Sequence, residues 1–500
     1  MRYRSVFAFS FATLLSRIFG FVREGVVAYL LGASGVADAF YAALRVPALL
    51  RDLLAENAIQ NAFIPSFIEA REKNNRPDVF LGTALLLWLS VAFVFSLIGV
   101  VAAPIIVKIM AYGFTGHPEK YRLAVQLVRV TSFYLFLVTS AAFASGLLNS
   151  VKSFFIPAVS PVLFNLGIIT AGLISTKLTH SPPKYALAMS IGVIIGGLLQ
   201  VVFLWPFVRK HDFKFSFRID FHHEQLKKLS KLLVPVALST GFSRLTLFVN
   251  TFVASFLGNG AIALLNYAFR IMNLPLGLFG VAISTVALPE LAERAAREED
   301  PSDVIARSFE LVLMLALPST LILILDADSI IAFLFERGSF TRANTYMSAV
   351  PLVLYALSVV PASMSKVLLG LYFSYGMVKR PNVAFAASAL TNVLIAATIS
   401  FKIGYPGLAL ATGLSAWVQF FILRAGSSRL FGFKKEHLAS LARLLLVNLV
   451  ASLAALYSIA HPHLGLKLRW LQDIAAFGVA YAVMFVLVVP EWKSILRVRK

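Results

Sequence analysis

Residues 79–107 read VFLGTALLLWLSVAFVFSLIGVVAAPIIV, an apolar run with no charged side chain before Lys108. A helix needs ~20 mainly apolar residues to cross ~30 Å of hydrocarbon. Outward from this stretch, comparable runs divide the chain near 6–31, 38–68, 79–110, 122–149, 154–176 and 185–208, then near 232–257, 261–292, 304–335, 343–373, 381–401 and 404–425, and finally near 438–460 and 470–490. Short polar or Gly/Pro-bearing turns separate them. The reading is an all-α polytopic membrane protein with fourteen transmembrane helices: a first lobe in 1–210, an amphipathic connector in 211–231, a second lobe in 232–430, and two last helices with a basic tail in 431–500.

Bulk composition agrees. Of 500 residues, 59% are hydrophobic and 14% charged, with a mean hydropathy of +0.82. Soluble domains lie nearer ~45 to 50% apolar, which excludes a soluble enzyme. The 45 Lys and Arg against 24 Asp and Glu leave +21, a balance that in a soluble chain would point to nucleic acid. In a membrane chain it encodes topology, because cytoplasmic loops retain Lys and Arg. With the N-terminus inside, 27 basic residues fall on the inner side, 9 in outer loops and 9 within the spans, so both termini are expected in the cytoplasm. The first apolar stretch carries Arg17, Arg23 and Glu24 and lacks a short signal-peptide core, so it reads as a retained helix. There is no cysteine, hence no disulfide or thiolate chemistry.

An internal repeat underlies these spans. At an offset of 226, Ala28, Leu31, Gly32, Ala37, Tyr41 and Ala42 meet Ala254, Leu257, Gly258, Ala263, Tyr267 and Ala268. At 224, Gly146, Leu147, Ser150 and Pro157 meet Gly370, Leu371, Ser374 and Pro381. Six helices separate the copies, an even number, so the two six-helix lobes are parallel, and transport sites commonly lie between such halves. In the connector, Phe213, Phe215, Phe217, Ile219 and Phe221 alternate with polar residues before Leu226, Leu229 and Leu233 take up helical spacing. It reads as a tether of extended chain followed by an interfacial helix whose Lys227, Lys228 and Lys231 face anionic headgroups.

The informative residues are charges where hydrocarbon should be. Each costs at least ~2.5 to 3.5 kcal/mol at the bilayer centre, so they must meet one another or a hydrated cavity. Asp38, Arg45, Asp52 and Glu56 fall on one stripe of the second helix, and Arg17 and Glu24 share a face of the first, with Arg23 and Arg51 turned away. Arg129, Arg244, Arg270 and Lys366 add cations from helices 4, 7, 8 and 10, and Asn266, Arg270 and Asn273 share a face of helix 8. Converging guanidinium groups suit a phosphate or pyrophosphate through forked, charge-assisted hydrogen bonds, and the alternative is a set of structural ion pairs or snorkelling side chains. Lys108, near a helix end, reads as a snorkeller. Catalytic motifs are missing: all eight histidines fall in loops or the connector, and neither HExxH nor a Walker-type loop occurs. The chain is therefore read as a non-enzyme driven by a gradient or the membrane potential.

The run Ser16-Arg17-Ile18-Phe19-Gly20-Phe21-Val22-Arg23-Glu24, with Asp38-Ala39-Phe40, Arg45-Val46-Pro47, Leu50-Arg51-Asp52-Leu53 and Ala55-Glu56, resembles the opening of the MurJ (MviN) lipid II flippases. The likeness continues through Asn149, Ile156-Pro157-Ala158, Asn165, Ala254-Ser255-Phe256-Leu257, Tyr267-Ala268 with Arg270, Gly338 with Phe340-Thr341, and Lys366-Val367-Leu368. The resemblance implies the fold of the multidrug/oligosaccharidyl-lipid/polysaccharide exporter superfamily: two lobes in a V around a central cationic cavity, with the last two helices lining a groove for a lipid tail. It also implies a lipid II flippase of the bacterial cytoplasmic (inner) membrane. Such a protein carries undecaprenyl-pyrophosphoryl-disaccharide-pentapeptide to the outer leaflet by alternating access, for peptidoglycan assembly.

By that match Arg17, Arg23, Arg51 and Arg270 engage the pyrophosphate and headgroup, with Glu24, Asp38 and Arg45 completing the binding set and Asp52, Glu56, Arg129, Arg244, Asn266 and Lys366 as further cavity residues. Glu24 stands where Asp is common in the family, keeping the charge on a longer side chain. Some relatives have a sodium site built partly from two aspartates, an asparagine and a threonine. Asn392 and Thr412 match the last two, Ala396 follows one turn after Asn392, and no matching acids are found, so membrane potential is the expected driver, with no cofactor. Membrane lipids and other peptidoglycan-synthesis proteins are the remaining expected partners, and nucleic acid is not one. The alternatives are an exporter of another polyprenyl-pyrophosphate glycan, which only the signature of the first two helices and the extra helix pair disfavour, and a multidrug cation antiporter, which would want buried carboxylates rather than a cationic excess.

Overall fold

A computed structural model describes residues 3–52, 59–73, 75–211, 213–216 and 218–489. Among these residues every regular element is a helix, and eleven helical stretches are long and apolar enough to cross a membrane. They coincide with eleven of the fourteen expected spans. The other three correspond to Tyr3–Leu31, to the segment beginning at Gly35–Arg51, and to Glu224–Ala254, each carrying charged residues in its sequence. The chain forms two compact units, residues 1–263 with 337–340, and residues 264–336 with 341–500.

The first unit opens with α1 (Tyr3–Leu31), which stops at Gly32: φ is +60° there, and its N–H reaches back to the Ala28 carbonyl at 2.8 Å. Gly258, its partner in the repeat, also has positive φ, +99°, so the duplication preserves a backbone turn that glycine makes cheaply. Helix α2 (Gly35–Arg51) starts on Ser34, whose Oγ accepts from the Ala37 N–H at 3.3 Å. Within the expected span 38–68, residues 53–58 lie outside the described residues, and beyond them come a widened π-turn (Ile59–Phe63) and α3 (Ile64–Glu72).

Helices α4 (Pro77–Val101), α5 (Ala103–Met110) and α6 (Pro118–Ser150) follow, then α7 (Phe155–Val159), α8 (Pro161–Leu178) and α9 (Pro182–Lys210). Four of these begin on proline, where the missing N–H costs nothing. Helices α8 and α9 touch through glycine: a Cβ on Gly167 would sit 2.5 Å from the Gly192 carbonyl oxygen. That is the small-residue contact by which helices associate in lipid, where no hydrophobic force drives them together. The core of the unit is aromatic, with Phe63 packed on Phe143 at 4.6 Å between ring centroids and on Phe67, Phe80 and Trp88 at 6.0 to 6.1 Å. Away from it, α4 leaves Phe93 and Val94 more than half exposed, as a lipid-facing surface requires.

The connector lies extended on this core. Ser216 N–H donates to the Asp78 carbonyl at 3.1 Å, and the chain fits there because residue 82 is glycine: a Cβ at that position would collide with the Ser216 carbonyl. Phe213 and Phe215 turn inward onto Phe67 and Trp205. Ile219 and Phe221 are exposed, so the alternation expected through 221 holds only in its first half, and Phe217 lies outside the described residues. Helix α10 (Glu224–Ala254) then runs without a break, so the interfacial helix and the seventh span are one helix. Lys227 and Lys231 are exposed as expected, whereas Lys228 bonds Glu69 of α3 at 2.8 Å and so is not simply a headgroup ligand.

Hydrogen bonds from Lys228 and Lys73 hold the Glu69 carboxyl down to about 2. A depressed carboxyl adds stability that is present at neutral pH and lost as pH falls through the ordinary range near ~4.3 and toward the folded value. Amide protection factors at 224–231, which divide out the slowing of intrinsic exchange in acid, are therefore expected to fall as the pH is lowered over that window, and in Glu69→Gln they should be low already at neutral pH and insensitive to acid. An unchanged exchange rate in the variant would show that this pair does not hold the start of α10.

In the second unit the expected eighth and ninth spans each contain a widened turn. Helix α11 (Ala261–Pro275) passes through a π-turn at Leu276–Gly280 into α12 (Val281–Ala296), and α13 (Ser302–Leu311) passes through another at Val312–Ala316 into α14 (Leu317–Leu325). At Asp326 the chain breaks before α15 (Ala327–Phe335). Then come α16 (Arg342–Ala356), α17 (Val359–Ser374), α18 (Lys379–Thr398), α19 (Ser400–Ile403) and α20 (Pro406–Gly426), and finally α21 (Lys435–Ala460) and α22 (Leu466–Val488). A π-turn frees backbone carbonyls inside a helix. Both last helices use them: Asn448 of α21 donates to the Leu313 carbonyl at 3.1 Å, and Tyr481 of α22 to the Met314 carbonyl at 3.2 Å. The C-terminal pair is thus fastened to the lobe by polar groups that an ordinary α-helix would not offer.

Candidate functional site

In the first unit four of the sequence-selected residues are held in buried polar contacts. Arg23 is 8% exposed and Glu24 1%, and the guanidinium donates to Glu24 Oε1 at 2.5 Å and to Asn165 Oδ1 of α8 at 3.0 Å, with the Phe164 ring 5.8 Å away. Glu24 Oε2 accepts from the Tyr41 hydroxyl of α2 at 2.6 Å. The longer glutamate here thus spans from Arg23 to Tyr41 and ties α1, α2 and α8 together. Charge is balanced inside the cluster, which is the condition for keeping it out of water.

Asp38 is fully buried. Its Oδ2 accepts from Lys120 Nζ of α6 and from the Gly260 N–H, each at 2.7 Å, and its Oδ1 accepts from the Ala263 N–H at 2.9 Å. Lys120 also meets Asn259 Oδ1 at 3.2 Å and the Phe114 ring at 4.3 Å. Sequence reasoning selected Asp38 as a substrate contact and left Lys120 among the loop cations. The structure makes them a clasp joining α2, α6 and the turn before α11. The signal was a lone carboxylate at the start of a span, which needs a cation from elsewhere in the fold.

Arg45 is half-buried and bonds Thr251 of α10, and Arg51 gives Nε and Nη2 to one oxygen of the buried Asp52 at 3.1 and 2.8 Å. Arg17 of α1 and Arg129 of α6 are exposed. Glu56 lies outside the described residues, as does the side chain of Arg244. In the second unit Arg270 is exposed on α11, with Asn266 and Asn273 half-buried one turn either side, and Lys366 is half-buried on α17. Arg17, Arg129 and Arg270 are thus the exposed guanidinium groups of this set, while Arg23 and Asp38 bond to neighbouring helices.

Asn392 of α18 and Thr412 of α20 do come together, with Asn392 Nδ2 3.5 Å from Thr412 Oγ1 and the buried Asn392 Oδ1 without a hydrogen-bond partner. Two neutral side chains with no carboxylate beside them are a poor cage for a sodium ion, whose hard charge calls for several oxygen ligands, commonly carboxylate among them. Among the described residues no group of three or more acidic or histidine side chains is arranged to hold a metal.

A family model described as lipid II flippase MurJ matches residues 27–467. The chain belongs to the lipid II flippase MurJ family. Among its relatives, a probable lipid II flippase MurJ of Rhizobium tropici is 34% identical over 452 residues, covering 88% of this chain and 83% of that protein. The lipid II flippase MurJ of Burkholderia cenocepacia is 32% identical over 436 residues, covering 85% and 83%. A solved lipid II flippase MurJ in an inward closed conformation aligns over 98% of this chain and 99% of its own, at 25% identity and a TM-score of 0.84. An inward-facing multidrug resistance MATE family transporter of the MOP superfamily aligns over 83% of this chain and 95% of its own at 17% identity and a TM-score of 0.64, a likeness of fold. The protein is a multi-pass membrane transporter of this family.

Proposed function

We propose that this chain moves lipid II from the inner to the outer leaflet of the bacterial cytoplasmic membrane, with both termini in the cytoplasm and the membrane potential as driver. The observation that carries it is family membership over residues 27–467 together with guanidinium groups retained within spans that otherwise exclude charge. Arg17, Arg51 and Arg270 contact the pyrophosphate, whose two negative charges are spread over oxygens that accept forked hydrogen bonds. Arg45, Asp52, Glu56, Arg129, Arg244, Asn266 and Lys366 complete the polar surroundings, and Arg23, Glu24 and Asp38 hold the helices that present them. The cycle is one of alternating access, with no chemical bond made or broken.

The test is a leaflet-accessibility assay in cells depleted of their own flippase and supplied with this chain. Lipid II should become accessible to an external probe only when the chain is present, while other polyprenyl-linked glycans are unaffected by it. Restored exposure of a different polyprenyl-pyrophosphate glycan, with lipid II still confined to the inner leaflet, would transfer the assignment to that substrate.

A further inference from the structure

The second unit holds a group of acids that the transport reading does not use. Asp326 stands at the break between α14 and α15, Asp328 on the first turn of α15, and Asp473 on α22. All three gather on one cation, Arg469 of α22. Its Nη2 bonds Asp328 Oδ1 at 2.6 Å, but its Nε meets Asp473 Oδ2 only at 3.4 Å and Asp326 Oδ1 only at 3.6 Å. Asp326 is 1% exposed and Asp473 fully buried, and none of their four carboxylate oxygens has a hydrogen-bond donor. Asp326 and Asp473 thus crowd the same guanidinium nitrogen, and a hydrogen bond between them needs a proton on one of the two.

The neighbouring elements do not supply the missing charge. Helix α14 carries no ionisable side chain. From the end of α15 comes another acid, Glu336, which the Lys467 ammonium of α22 faces at 4.0 Å. Arg342 of α16 is directed to the Tyr346 hydroxyl at 3.3 Å, and at its near end α21 offers Tyr457 and His461, both exposed. Three ionised carboxylates on one guanidinium would leave two negative charges in a dry site, at a cost of several kcal/mol per ion. Two like charges this close cannot both ionise.

We propose that Asp326 and Asp473 form a proton-binding site, one carboxyl donating to the other and so joining the break at the end of α14 to α22. The proton supplies the hydrogen bond that the four orphaned oxygens lack, and removes one of the two uncompensated charges. Release of that proton sets two carboxylates against each other across the contact and loosens α22 from α15, which Ser329 otherwise fastens by accepting from the Trp470 N–H at 2.9 Å and donating to the Leu466 carbonyl.

The experiment is infrared spectroscopy of the purified full-length protein in detergent, reading the carbonyl stretch of protonated carboxyl groups. At neutral pH the wild type should show a band that disappears on alkalinisation, and Asp326→Asn should lose it. Asp473→Asn should lose the same band, and if that variant does not fold, the wild-type titration and Asp326→Asn decide alone. The band should be indifferent to replacing alkali cations by a bulky organic cation. Absence of a protonated carboxyl at neutral pH, or a band that Asp326→Asn leaves intact, overturns the proposal. So does a carboxylate signal that follows sodium or potassium instead of pH, which would make this a metal-cation site. The readout does not involve transport, so its failure leaves the flippase reading standing, and the reverse.

Discussion

Arg23→Ala is expected to abolish growth rescue in cells depleted of their own lipid II flippase, and to do so by weakening the fold. Removing the guanidinium takes from Glu24, 1% exposed, the cation it pairs with at 2.5 Å. Breaking one side of a buried ion pair costs about 3–5 kcal/mol. The variant should therefore accumulate poorly and unfold at lower temperature. The double variant Arg23→Ala/Glu24→Gln removes the stranded charge and should recover much of the lost stability. If rescue returns with it, Arg23 is a positioning residue. If the double variant is stable and still inactive, the guanidinium touches substrate. Arg270→Ala is the contrast: it is exposed, so it should keep normal accumulation and unfolding while losing rescue. Full rescue by Arg270→Ala would remove α11 from the substrate-binding surface.

The second large effect is expected at Asp38. Asp38→Ala deprives Lys120, itself 8% exposed, of its carboxylate, and leaves the N–H groups of Gly260 and Ala263 without an acceptor. The same buried-pair arithmetic gives about 3–5 kcal/mol, with the two orphaned donors adding to it. Protein level and thermal midpoint should fall together, and Asp38→Asn/Lys120→Met, which keeps the shape and removes both charges, should restore part of each. A stable, normally abundant Asp38→Ala protein that fails only in transport would instead put this carboxylate in contact with substrate.

The contrast between these two residues shows what a linear reading can reach. Hydropathy located the apolar runs, because in lipid every backbone group must be satisfied within its own helix and the segment length is set by the bilayer. The family signature in the first two helices likewise picked out Arg17, Arg23 and Arg51 as unusual. What it could not do was say which charges face one another. The Asp38 to Lys120 bond joins residues 82 apart, and Arg23 to Asn165 joins residues 142 apart. Helical periodicity orders residues around one axis and says nothing about the neighbouring one. The breaks were marked only indirectly. The π-turn Val312–Ala316 itself is built from ordinary apolar residues, but Pro318, two residues on, lacks the N–H that would bond the Met314 carbonyl in regular helix, and Pro275 precedes the turn at Leu276–Gly280.

Those widened turns also fix a phase. Each holds one residue more than an α-helical turn, and each residue advances an α-helix by about 100°. Winding the same residues 312–316 as regular helix, with none removed, would swing everything beyond them by about that angle. Asn448 and Tyr481 would lose the carbonyls they bind, and Asp326 would rotate off the face where α22 carries Arg469 and Asp473. The widened turn therefore works as a keyway: it sets the angular position at which the last two helices can seat, and a chain of the same hydropathy and length that wound this turn as regular helix would span the membrane just as well and assemble wrongly.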